Sequence, residues 1–310
     1  MLPGERQEDI ASYFRDPNGK LYVICTFISV AIMLAASAIS LVYLVAKTPD
    51  EAYVLTSGEE PMGIAYPLLC AAVFVICLVL AVKDLAKRMK GCPEDERDAR
   101  FMRAPLSKAG MLFSITATTS LVIILFSDLI GEAITDDFIW KMTDYEMMVS
   151  MMCAGPEEEF ISRVLLIGLP VTLICLAKGH PRCAKDLLGG FGMSRIALVF
   201  LVISSAIFGL LHMSGWSIMK FPDTFISGML FGYVYIQYGV HASIVMHSAF
   251  DLLASFDIFF DGAGTAPLIL MGVLGAVLLV RSAFKFRSYI PENTLHEPFD
   301  GNVVEMWGRS

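Results

Sequence analysis

The sequence predicts an all-α protein, a polytopic membrane helix bundle of about eight transmembrane helices. Three observations carry that expectation. The residues are 56% hydrophobic and only 17% charged, whereas a soluble domain is about a quarter charged. The mean hydropathy is +0.64. The apolar residues fall into runs of roughly 20, the length a helix needs to cross a bilayer core. The net charge of −8 lies mostly in loops and tails. No basic stripe exceeds a few residues, which argues against nucleic acid as a partner. Seven cysteines form no CxxC pair and mostly sit in apolar runs. Neither a disulfide framework nor a cysteine metal site is expected.

A polar N-terminus covers residues 1–20. Three accessory spans follow within 21–130, at Leu21–Ala46, Gly63–Val82 and Ala109–Ile130. The fourth span lies within Met147–Leu176, and the fifth is Ile196–Met213. Phe221–Tyr238 and Val240–Phe256 are the sixth and seventh, joined by a tight turn at Gly239. Ala266–Phe284 is the eighth, and 285–310 form a polar tail. Eight Lys/Arg lie in 83–108 and four in 177–195, against one each in 47–62 and 131–146. Cytoplasmic loops carry the excess of positive charge. This alternation favours an integral multi-pass protein with both termini in the cytoplasm.

Ionisable side chains inside apolar spans mark functional sites by default, because lipid makes them costly. The stretch 147–176 holds Glu157, Glu158, Glu159 and Arg163. Proline favours the first helical position and carboxylates favour the first turn. The spanning helix is therefore expected to begin at Pro156, leaving Met147–Ala154 as a separate interfacial or re-entrant piece. From Pro156 to Leu176 the helix would cover about 31 Å, one bilayer core. Glu159 and Arg163 are four apart and can pair, which leaves Glu158 beside a tethered ion pair. There its pKa can be tuned for general-base work. The plainer reading is a solvated helix start with Arg163 neutralising one glutamate. Span five ends at His212, and span seven holds His247 and Asp251 on one helical face. Asp251 can orient the His247 imidazole. The plainer readings are an interfacial His near Trp216 and a polar pair that glues helices. With the orientation above, the glutamates, His212, His247 and Asp251 fall at similar depth, toward the outer half. Gly228 and Gly232 form a GxxxG on span six, which allows close helix approach.

Glu158-Glu159-x-x-x-Arg163, Phe208-x-x-x-His212 and His247-x-x-x-Asp251 occur in this order on successive apolar helices. This ordered set resembles the CPBP family, the CAAX-protease and bacteriocin-processing intramembrane proteases, also called the Abi family. The resemblance covers residues 145–256, which it marks as the catalytic core. Glu157 lies outside the pattern. The resemblance implies a glutamate-dependent endopeptidase in which Glu158 activates a water with help from His212. Glu159 and Arg163 would shape the site, and His247 and Asp251 would stabilise the tetrahedral oxyanion. It implies no cofactor. Zinc is the alternative, because a Glu/His/His/Asp set can ligate it, although no HExxH is present. The implied partner is a peptide or protein substrate, with a prenylated protein tail and a secreted peptide precursor as candidates. A cytosolic prenylated tail requires access from the inner side, whereas the charge count puts the site toward the outer half.

Two other readings use the same residues. A transporter could employ buried Glu, Arg, His and Asp as a proton relay, but the halves show no internal repeat. A non-catalytic scaffold could keep the fold to bind membrane partners, although it would need none of the motif residues.

Overall fold

The computed structural model describes residues 17–51, 65–132, 134, 141–179, 183–213, 216–259 and 265–289. Among these residues the regular structure is entirely helical. Helix α1 is Pro17–Glu51, α2 Ala65–Met89, α3 Arg97–Arg103 and α4 Pro105–Leu129. Helix α5, Asp144–Glu159, passes into a π-helical stretch at Phe160–Gly168 and then into α6, Leu169–Ala177. Helix α7 is Arg195–Met213, α8 Lys220–Tyr238, α9 Val240–Phe259 and α10 Thr265–Tyr289.

Among the described residues, six stretches are long and apolar enough to cross a membrane, namely Gly19–Pro49, Ala65–Met89, Pro105–Leu129, Asp144–Ala177, Arg195–Met213 and Thr265–Ser282. Large apolar side chains such as Leu69 on α2, Leu125 on α4 and Leu210 on α7 stay exposed on their outer faces. In lipid those faces need no protein partner. The chain is an integral multi-pass membrane protein. The sixth and seventh of the eight expected spans exist as α8 and α9 but fall outside this set. Helix α9 is apolar over Val240–Phe256 but too short for it. Helix α9 is the central post of the bundle and touches α1, α2, α4, α5, α8 and α10. Every residue from Ala242 to Ala249 is buried, so α9 faces protein and can carry a polar stripe.

The expected helix start at Pro156 is corrected. Helix α5 begins twelve residues earlier, at Asp144, under a capping box. Thr143 N–H donates to the Glu146 carboxylate at 2.8 Å, and Glu146 N–H donates to the Thr143 hydroxyl at 3.3 Å. That cap satisfies orphan donors at the true start. Pro156 is then an interior proline, and its missing N–H removes one ladder bond. The helix runs unbroken from Asp144 to Ala177. The cysteine expectation is corrected too, since Cys175 is disulfide-bonded, while Cys25, Cys70, Cys77, Cys92 and Cys153 are free.

Small residues set the helix spacing. Gly228 lies against Ser205 and Phe208, and Gly232 against Leu201 and Ile167, so the GxxxG face packs inside the chain on α7 and the π stretch. Gly239 turns α8 into α9 at φ 98°, a backbone region that glycine enters freely. Helix α10 meets α4 where Thr118 Oγ1 donates to the Gly272 carbonyl at 2.7 Å. One turn on, Gly275 rides directly on the Ser114 carbonyl. A side chain at 275 would strike backbone, which cannot rotate away. Gly275→Leu should therefore lower stability by about 1–3 kcal/mol or more, as overpacking does. Thermal unfolding of the detergent-solubilised protein checks this, and an unchanged Tm would refute the packing account.

Candidate active site

Four elements converge on one polar cluster. The last turn of α5 supplies Glu158 and Glu159, and the π stretch supplies Arg163. Helix α7 supplies Ser204, Phe208 and His212, and α9 supplies Ser243, His247 and Asp251. The six residues expected from the sequence, Glu158, Glu159, Arg163, His212, His247 and Asp251, all lie within this cluster.

Its inner half is dry. Glu159 and Arg163 are completely buried, and Arg163 Nε donates to Glu159 Oε2 at 3.2 Å. Glu159 also accepts from the Ser243 hydroxyl and from His247 Nδ1, the latter at 2.9 Å. Arg163 Nη1 donates to Ser204 Oγ at 3.2 Å, and Ser204 in turn donates to the Ser162 carbonyl. The guanidinium carbon stands 5.2 Å from the centroid of the Phe208 ring, within cation–π range. Buried charge is tolerated when it is paired and its remaining lone pairs and protons are satisfied. Here three donors converge on one carboxylate. The π-helical register begins one residue after Glu159. Such stretches are rare and tend to occur at functional sites.

The outer half is accessible. The Glu158 side chain is 32% exposed and that of Glu159 is 0%. Glu158 Oε2 lies 3.7 Å from His212 Nε2 and 3.6 Å from His247 Nε2, too long for direct hydrogen bonds. His247 Nε2 lies 3.3 Å from Asp251 Oδ2. The His247 ring stacks on Phe231 at 4.5 Å between centroids. His212 Nδ1 is 2.8 Å from the Phe208 carbonyl. A carbonyl oxygen only accepts, so Nδ1 carries the proton. In neutral His212 the bare Nε2 lone pair then points to the Glu158 side.

Sequence reasoning missed Ser204, Ser243 and Phe231. A signal for the serines exists. Ser243, His247 and Asp251 recur every four residues, as do Ser204, Phe208 and His212, and each set lines one helix face. Glu157 stands apart from the cluster and accepts a hydrogen bond from the Tyr66 hydroxyl of α2. His241 sits in the first turn of α9. His180 and His296 lie outside the described residues. Among the described residues, no three or more His, Cys, Asp or Glu side chains are grouped so as to hold a metal ion.

Breaking a buried pair from one side leaves an uncompensated charge and costs about 3–5 kcal/mol. Arg163→Met should cost that much. Adding Glu159→Gln to Arg163→Met should recover part of the loss. Unfolding of the single and double variants in detergent checks both, and equal stabilities for Arg163→Met and the parent would refute the pairing.

Comparison with known proteins adds one match. Residues 138–253 fit the family described as Type II CAAX prenyl endopeptidase Rce1-like. No curated protein and no solved structure matches the chain. The matched segment opens shortly before α5 and closes two residues after Asp251, enclosing the whole cluster. Over that segment the chain is similar to the Rce1-like family of type II CAAX prenyl endopeptidases.

Proposed function

We propose that the protein is an intramembrane endopeptidase that hydrolyses a peptide bond with a water activated by Glu158 and His212. One observation carries this reading. Glu158 Oε2 and His212 Nε2 face each other at 3.7 Å, and both are hydrogen-bond acceptors when His212 donates its Nδ1–H to Phe208. Two acceptors at that separation are reconciled by a shared donor. A water between them donates one O–H to each and turns its lone pairs outward, toward a substrate carbonyl.

Glu158 suits the base role because its neighbour Glu159 does not. Glu159 is enclosed and has Arg163, Ser243 and His247 as donors, whereas Glu158 is partly exposed and lacks a short bond to either imidazole. In the first step the water oxygen bonds to the carbonyl carbon and Glu158 takes the released proton. The carbonyl oxygen becomes an oxyanion. His247, in its protonated form, directs Nε2–H into the same space, with Asp251 at 3.3 Å orienting it. Preorganised donors of this kind stabilise developing charge. In the second step the C–N bond breaks and the proton held by Glu158 passes to the leaving amine. The products are a carboxylic acid, which passes its proton to solvent, and an amine, and Glu158 is restored.

No metal takes part in this scheme. The substrate is a peptide or protein segment at the membrane, and a prenylated C-terminal tail is the first to test because the family's description names one. Both termini of the chain face the cytoplasm in this reading, following the Lys/Arg alternation.

A positioned general base is worth about 10²–10⁴-fold in rate. Glu158→Gln should lose that much cleavage of a farnesylated peptide while retaining the parent Tm. A zinc chelator should leave the parent rate unchanged. Undiminished cleavage by purified Glu158→Gln would refute the base assignment, and loss of cleavage with chelator would refute the metal-free scheme.

A further inference from the structure

We propose that Phe231 is a positioning residue of the active site, whose ring face carries the protonated His247 imidazole and holds its Nε2–H toward the oxyanion. The proposal rests on the endopeptidase reading above and adds a fifth element, helix α8, to the site.

His247 is held at its edges by carboxylates. Nδ1 lies 2.9 Å from Glu159 Oε1, and Nε2 lies 3.3 Å from Asp251 Oδ2 and 3.6 Å from Glu158 Oε2. An imidazole donates from both nitrogens only when it is protonated. His212 is treated differently, because its Nδ1 faces a backbone carbonyl. The His247 side chain is 4% exposed, so solvent does not cover its faces. Hydrogen bonds lie in the plane of the ring and cannot serve the faces either.

Phe231 covers one face. The two rings stack with centroids 4.5 Å apart and planes 20° apart. Phe208 meets the same imidazole edge to face, at 5.9 Å and 75°. An aromatic face carries negative charge density, and its attraction for a cation is greatest where water is excluded. Stacking also sets the aim of the imidazole. A ring held only at its two nitrogens can tilt about the line joining them, and a flat partner beneath it removes that freedom.

Phe231 is itself fixed. It is buried, and its ring meets Phe250 of α9 at 6.4 Å and 66°. Phe250 in turn meets Phe113 of α4 at 5.9 Å and 83°. The Phe231 carbonyl oxygen stands 3.0 Å from Ser243 Oγ, one turn before His247. Gly232, the next residue, packs on Leu201 and Ile167. The ring cannot swing aside, and Phe231 grips α9 at two successive turns. Packing alone would be met by any apolar side chain of this volume. An aromatic face is required only where charge is carried.

The test replaces Phe231 in the full-length protein, in nanodiscs, with mono-, di- and trifluorinated phenylalanine. Fluorine withdraws electron density from the ring face and barely alters its shape. KM and kcat are measured with the farnesylated peptide, and Phe231→Leu is measured beside the series. With each added fluorine kcat should fall, by about 5–30-fold at three fluorines, the range of a desolvated cation–π contact, while KM holds. Phe231→Leu should lose at least as much. Should that variant fail to fold, the fluorine series alone decides. A kcat that is flat across the series is the mark of a ring that only packs, and it overturns the proposal while the protease reading stands. A rise in KM at constant kcat also overturns it, by placing the ring against substrate and not against His247. Failure of the parent to cleave the peptide overturns the proposal and the protease reading together.

Discussion

The ion pair between Glu159 and Arg163 is the constraint on which the rest depends. Two full charges lie where neither lipid nor water can solvate them. They persist because α7 and α9 both contribute partners, with Arg163 Nη2 alone of the guanidinium nitrogens lacking one among the described residues. Ser204 answers from α7, and Ser243 and His247 answer from α9. The pair thus fixes the mutual position of α5, α7 and α9 through directional bonds, which apolar contacts between membrane helices do not provide. It also sorts two adjacent glutamates into different environments. One is consumed by structure, and the other is left at the boundary of the cluster with unused acceptor sites.

The shape of the cluster follows from helical geometry. Glu159 and Arg163 are one turn apart, as are His247 and Asp251, and Phe208 and His212. Each pair therefore lines one face. The Phe208 ring lies against both imidazoles and the guanidinium, and the Phe231 ring stacks on His247. Their faces carry negative charge density, so they pack against cationic groups without loss. The cluster is consequently enclosed on its inner side and open on its outer side.

Much of this was legible in the residues. Apolar runs of membrane length announced a helical bundle, and charges inside them stood out against that background. Proline at 156 misled because its usual place is a helix start. The actual start is specified by Thr143 and Glu146, whose capping box lies outside the apolar run. The π stretch left no signal, since its residues Phe160–Gly168 are ordinary helix formers apart from Gly168. Ser204 and Ser243 were passed over because a serine in a membrane helix commonly bonds its own preceding turn, as Ser205 does to the Leu201 carbonyl. Only the tertiary arrangement shows which hydroxyls serve a neighbour. The count of crossings is blurred at α8 and α9, which fall outside the stretches long and apolar enough to cross.

That last point bears on how the chain is made. Helix α9 is apolar over Val240–Phe256, yet its serines at 243, 248 and 255 and its His247 and Asp251 gain nothing from lipid. Its partners are the faces of helices already in the bilayer. Gly239 ties it to α8 with no spare residues between them. The α8–α9 hairpin is therefore the natural unit of membrane insertion, entering a ring of earlier helices together with the histidine and aspartate it carries. Insertion of that hairpin and assembly of the polar cluster become a single event in biogenesis.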